Sequence, residues 1–136
     1  NALTAWNDHP DEQIRYYSGT AVYSTVFNWD GNPGNDRIFL ELDSLYNIAG
    51  VKINGKDCGT IWTKPYRLRI ASALQHGPNT LEIEVTNTWA NRIMGDEVFN
   101  AEKDESKKIW TNARYRLASK RPVASGLTGQ VKIVSQ

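Results

Sequence analysis

One cysteine, two histidines and one methionine among 136 residues leave little of the side-chain chemistry that nucleophilic and metal-assisted catalysis recruit. Cys58 has no partner for an internal disulfide, so cysteine usage says little about compartment, and its place beside an apparent turn fits a small packed side chain. His9 and His76 lie far from Cys58 in sequence and have no metal-ligand partner at short spacing, which speaks against a catalytic thiol and a zinc site. Charge of one sign is missing too. Sixteen basic and fifteen acidic residues give a formal net charge of +1, with no run of Lys and Arg to hold a phosphate backbone, so nucleic acid is not an expected partner. No apolar run reaches the length of a membrane span, and no membrane partner is expected. The first residues, starting at Asn1, lack the charged and apolar regions of a signal peptide, as a mature piece would. At this length residues 1–136 read as a single domain, large enough for a real core.

What is present is period-two alternation. Ala21, Tyr23, Thr25, Phe27 and Trp29 share one face of a strand, Ile38, Leu40 and Leu42 share another, and Ala49, Val51 and Ile53 a third. Asn54-Gly55 follows directly and predicts a two-residue hairpin turn, because both central residues of a type I′ turn need positive φ. The return strand runs through Cys58, Thr60 and Trp62. Leu68 and Ile70 then alternate with Arg67 and Arg69, Leu81, Ile83 and Val85 alternate with Glu82, Glu84 and Thr86, and Val131 and Ile133 close the pattern. Turn-rich clusters at Asp30–Asp36 and His76–Asn79 separate the strands. The fold expected is all-β, an antiparallel two-sheet jelly-roll sandwich of roughly eight strands. Phe27, Leu40, Leu42, Val51, Ile53, Leu81, Ile83 and Val85 should face inward. Trp6, Tyr16 and Tyr17 should pack across a sandwich end. From Asp96 to Arg114 the apolar positions sustain no 3.6-residue stripe, which predicts a long excursion with at most short helical turns.

Asn87-Thr88-Trp89-Ala90-Asn91-Arg92-Ile93-Met94-Gly95-Asp96 leaves the cleanest strand and gathers amides, an arginine, a carboxylate and a ring. Rings stack on the apolar faces of sugars while amides and charged groups take their hydroxyls, so Trp89, Asn87, Asn91, Arg92 and Asp96 are candidate carbohydrate-binding residues. The competing reading makes Trp89 an anchor and has the polar groups hold a long loop together, with Arg92 paired to Asp96 and Asn87 and Asn91 capping backbone groups. Trp62-Thr63-Lys64-Pro65-Tyr66 is a second candidate, a corner on which Trp62 and Tyr66 could form an aromatic platform. Strand parity instead turns Trp62 inward with Thr60 and Cys58.

Chemistry is harder to find. Glycoside hydrolysis needs two carboxylates facing each other across a cleft. Asp96 and Glu97 are adjacent and diverge on most backbones, while Glu82 and Glu84 share a solvent-facing strand surface, so no catalytic residue is assigned. Asp30, Asn32 and Asp36 offer oxygen ligands at spacings that could hold calcium, but Pro33 interrupts them and no bidentate Glu closes the loop. A plain turn is the preferred reading, and no cofactor is expected.

Five blocks taken in order carry a resemblance: Tyr17–Tyr23, Val51–Trp62, Pro65-Tyr66-Arg67, Gly77–Arg92 and Ser125–Gly129. Together they resemble the C-terminal β-sandwich of bacterial α-L-rhamnosidase-type glycoside hydrolases of family 106. More distantly, the strand, Asn-Gly hairpin and Gly-x-Asn-x-Leu pattern is similar to the galactose-binding-like jelly roll of family 2 β-glycosidases. Where the family commonly reads Asn-Arg-Leu-Ile-Gly-Asp, this chain has Asn91-Arg92-Ile93-Met94-Gly95-Asp96. The resemblance implies a non-catalytic sandwich whose partner is the catalytic barrel of the same polypeptide, in an enzyme secreted to a bacterial periplasm or surface. It leaves open whether the domain braces that barrel or binds carbohydrate as an independent module. A free-standing glycosidase is the least favoured class.

Overall fold

The computed structural model describes residues 3–32, 37–101 and 121–135. Seven strands are described, one fewer than the roughly eight expected: β1 (Thr20–Trp29), β2 (Ile38–Tyr46), β3 (Ile48–Ile53), β4 (Lys56–Ile61), β5 (Arg67–Arg69), β6 (Gly77–Thr86) and β7 (Gly126–Ser135). They form two antiparallel sheets, one in the order β1-β6-β3-β4 and one in the order β5-β2-β7. The two sheets face each other over Ile38, Leu40, Leu42, Val51, Ile53, Leu81, Ile83 and Val85, all buried. Alternation is the cause, since every second side chain of a strand points to the same face. Glu82 and Glu84 lie on the exposed face of β6, and Phe27 is half-buried on the inner face of β1.

Asn54 and Gly55 form the predicted turn, with φ of 53° and 76°. The side chain of Asn54 ties this turn to the one before β6. Its amide donates to Asn79 Oδ1 at 2.8 Å and its carbonyl accepts from Thr80 N at 2.9 Å. Asn79 is buried, and its amide donates to the carbonyls of Gln75 and Gly77, while Oδ1 also accepts from Gln75 N. Two turns at one end of the sandwich are thereby locked together by a fully bonded amide.

Two expectations fail. The β3–β4 register shifts between Val51 and Lys52, pairing Val51 with Gly59 and Lys52 with Asp57, so Cys58 is an extra residue. A bulge of one residue inverts parity beyond it. Ile61 therefore faces the core, Thr60 is exposed, and Trp62 stands 70% exposed instead of inward. The second failure is a twelve-residue helix, α2, over Ala90–Ala101, where only short helical turns were expected from Asp96 onward. Its buried stripe is Asn91, Met94 and Gly95, with Val98 half-buried below, a helical spacing that includes an amide and a glycine and so escapes any test for apolar periodicity. Residues 102–114 of that expected excursion lie outside the described residues.

Candidate functional site

One end of the sandwich is closed by three segments: residues 3–19 with the short helix α1 (Glu12–Arg15), the start of α2, and residues 121–127 leading into β7. Trp6 anchors this cap. Its backbone N–H donates to Ser125 O at 3.0 Å, its indole Nε1 to Tyr23 Oη at 2.6 Å, and its ring meets Tyr17 edge-on at 5.6 Å. Tyr23 Oη also accepts from Leu127 N at 3.2 Å, so the phenol joins β1 to β7. Gly126 packs under Trp6 with φ of 90°, and a Cβ there would sit 2.6 Å from Trp6 Nε1. Gly95 serves α2 the same way, since a Cβ would meet that of Tyr16 at 2.7 Å. Trp6, Tyr16 and Tyr17 thus pack at the sandwich end, as expected.

Asn87, Asn91, Arg92 and Asp96 of the Asn87–Asp96 segment are all engaged. Asn87 accepts from Gly19 N and donates to Tyr17 O, both at 2.8 Å. Asn91 is 1% exposed, and it accepts from Val123 N at 2.7 Å while donating to Val123 O at 2.8 Å. An amide that pairs with both polar groups of one residue acts as a substitute strand partner for that residue. Arg92 Nε lies 3.1 Å from Asp96 Oδ1, one helical turn on, and Asp96 is buried. The first turn of a helix leaves N–H groups without intrahelical acceptors, and here the Arg92 N–H donates to Ser18 Oγ, supplied from 74 residues away. Each expected bond is present, although the capped backbone belongs to neighbouring segments instead of to the loop itself. Nothing in the sequence singled out Ser18, because a cap donated from another segment leaves no local motif.

The rings are placed differently from the amides. Trp89 precedes α2 and is 67% exposed. At the other corner Trp62 is exposed, but Tyr66 is half-buried against the core, with its carbonyl accepting from Leu42 N and Lys64 Nζ 5.9 Å from its ring centre. The corner therefore presents one ring, not the pair that a platform needs. Beside Trp62 by register lies Ile48, one step beyond the Ala49–Ile61 pair and also exposed.

Chemically reactive groups are sparse. Asp96 is buried in its ion pair and Glu97 is exposed, as side chains about 100° apart on a helix must diverge. Burial pushes the Cys58 thiol above its ordinary value, aided by the Asp57 charge, which keeps it neutral and poorly nucleophilic. Asp30 and Asn32 are exposed, and Asp36, the third calcium candidate, lies outside the described residues. Among the described residues no three His, Cys, Asp or Glu side chains converge as metal ligands, and no helix is long and apolar enough to cross a membrane.

The two facing sheets and their hydrogen-bonded end cap define a β-sandwich of the galactose-binding-like class. The chain belongs to the glycosyl hydrolase 2 galactose-binding domain-like family, whose sequence profile matches residues 5–120. It is similar to the rhamnosidase from Novosphingobium sp. PP1Y, with 39% identity and a TM-score of 0.80 over 94% of this chain and 12% of that one. It is also 41% identical over 97 residues to a Formosa agariphila protein to which a beta-glucuronidase activity is ascribed, matching 70% of this chain. A Lactobacillus rhamnosus beta-glucuronidase shares 28% identity and a TM-score of 0.54 over 61% of this chain. The chain spans 8% of the Formosa protein, 12% of the rhamnosidase and 15% of the Lactobacillus enzyme.

Proposed function

We propose that this chain is a non-catalytic ancillary sandwich of a bacterial, secreted glycan-degrading glycoside hydrolase, rhamnosidase-like in kind, and that its polar end braces the fold beside the catalytic domain. Its partner is then that domain of the same polypeptide, and the catalytic carboxyls lie there. One observation carries the reading: the residues best suited to hold sugar hydroxyls are engaged inside the fold, Asn87 by hydrogen bonds to Tyr17 and Gly19, Asn91 by hydrogen bonds to Val123, and Arg92 and Asp96 by an ion pair with each other. A group already bonded inside the fold would have to leave that partner to take a ligand, at a cost of about 1 to 3 kcal/mol per buried group. Glu82 and Glu84 support the absence of hydrolysis, since they stand two residues apart on one open face and not across a cleft.

The independent carbohydrate module is the second reading, favoured by the exposed rings of Trp62 and Trp89. Calorimetric titration with rhamnose, galactose and short pectic oligosaccharides separates the two. Bracing predicts no heat of binding and a loss of about 1 to 3 kcal/mol of stability in Arg92→Ala, which removes the cation that is ion-paired with buried Asp96. A binding heat that disappears in Trp89→Ala, with the melting temperature unchanged, would replace bracing by sugar binding.

A further inference from the structure

The four edge strands of the two sheets are protected unequally. β4 carries Lys56, Asp57 and the bulge at Cys58, while β5 is three residues long with two arginines. β7 carries Lys132 and an extra residue opposite Asp43, where Gly129 takes a φ of 79°. Charge, brevity and bulges are the usual defences of a strand that has no neighbour. β1 has none of them. It runs ten residues, Thr20–Trp29, without a charged side chain or a proline, in a chain of which 23% is charged. It pairs with β6 in unbroken register from Thr20–Thr86 to Trp29–Gly77, and its other edge has no strand neighbour among the described residues.

The side chains along that edge are also incompletely covered. On the outer face Val22 and Val26 are 58% and 67% exposed, and on the inner face Tyr23 and Phe27 stay half-buried beside the buried Leu81 and Ile83 of β6. Here the two sheets part over a cleft of about 830 Å³ floored by Leu81, Ile83, Leu127 and Val131, with Ser24, Thr25 and Gln130 at its rim.

We propose that β1 is a strand-addition site, at which an extended segment of the polypeptide beyond these 136 residues pairs, past Thr20 whose carbonyl accepts from Tyr17 Oη, with the edge that has no strand neighbour among the described residues, and places alternate apolar side chains in the inter-sheet cleft. The proposal rests on the reading of this chain as one domain of a larger enzyme, as its 8 to 15% share of its relatives' length supports. A row of unpaired backbone groups beside an apolar groove is what an added strand uses, the backbone giving affinity and alternate side chains giving register. A sugar fits less well, because the floor is aliphatic and Asp43, the charged group lining the cleft, already accepts from Gln130 N and Lys132 Nζ. A second copy paired β1 to β1 would satisfy the edge but keep its inward side chains over its own sheet, leaving both clefts open.

The test uses the 136-residue chain, labelled for amide exchange by NMR, and a blocked heptapeptide of alternating Thr and Val as probe. Saturating peptide should slow exchange of alternate β1 amides about tenfold and shift the methyl signals of Leu81 and Ile83. Thr25→Lys places a charge at the mouth of the cleft on an exposed side chain, and it should abolish both effects while β6 amides keep their protection. Unchanged β1 exchange, equal binding by Thr25→Lys, self-association alone, or methyl shifts produced only by a pectic oligosaccharide would each overturn the proposal. None of these outcomes depends on the Arg92→Ala melting shift or the sugar titration, so the bracing reading stands or falls separately.

Discussion

Along β6, Leu81, Ile83 and Val85 are buried by aliphatic side chains of both sheets, whereas Asn91, five residues past the strand, is buried as deeply by hydrogen bonds to Val123. The inner strands and the end cap remove similar groups from water through different forces. Aliphatic burial is non-directional and tolerates any well-packed neighbour, so alternation alone specifies it. The cap depends on Ser18, Asn87, Asn91 and Tyr23 Oη meeting partners distant in sequence at hydrogen-bond distance. Such a region is selective about geometry and gains only about 0.5 to 1.5 kcal/mol per bond, while losing more when a partner is removed. The sheets therefore carry most of the stability, and the cap carries the orientation of α2 and of residues 121–127.

Substitutions in the two regions sharpen this contrast. Ile83→Ala should show the largest loss, about 2 to 5 kcal/mol by denaturant unfolding, because it leaves a cavity between the sheets. A loss under 1 kcal/mol would place Ile83 outside the core. Asn91→Ala should cost about 1 to 3 kcal/mol, since both polar groups of Val123 lose their partner, and proteolysis should then open residues 121–125 before the strands. If Asn91→Ala equals Ile83→Ala in cost, the division between core and cap is wrong.

Asp43 gives a smaller, pH-dependent effect. The Gln130 N–H and then Lys132 hold its carboxyl below its ordinary 3.8, so the native state favours the charged form. Stability from this group is present above that value and is lost as pH falls through the lower, folded one. Asp43→Asn should lower the melting temperature slightly at neutral pH, and the gap should close below pH 3.8. A gap that persists in acid would assign the effect to the bulge geometry instead of to charge. Trp62→Ala should change stability by less than about 0.5 kcal/mol, as expected of an exposed ring. A larger change would mean that Trp62 contributes to packing.

Most of the sandwich was legible because period two is a property of the strand itself: Leu40, Leu42, Val51, Ile53, Leu81, Ile83 and Val85 are all buried where alternation put them. Trp62 was misread because a bulge adds one residue to β4 and inverts every side chain after it, and Gly59, with φ of 118° beside that bulge, was the available sign. Helix α2 was missed because its buried stripe runs through Asn91 and Gly95, residues chosen for a hydrogen bond and for close approach to Tyr16. Arg92–Asp96 was legible as a pair four residues apart on one chain segment. The partners of Asn87 and Asn91 were not, since those lie 70 and 32 residues away.

The sequence by itself determined the architecture of two antiparallel sheets, the Asn54-Gly55 turn and the inward faces of the inner strands, since each follows from φ preferences and alternation within a few residues. Only the tertiary structure decided the uses of the polar segment and of the rings. Whether an amide is free for a ligand or bonded inside the fold depends on which distant backbone reaches it. Gly19 and Ser18 reach Asn87 and the first turn of α2 once β1 has paired with β6, and Val123 reaches Asn91 only once the sheet that holds β7 has closed on the other.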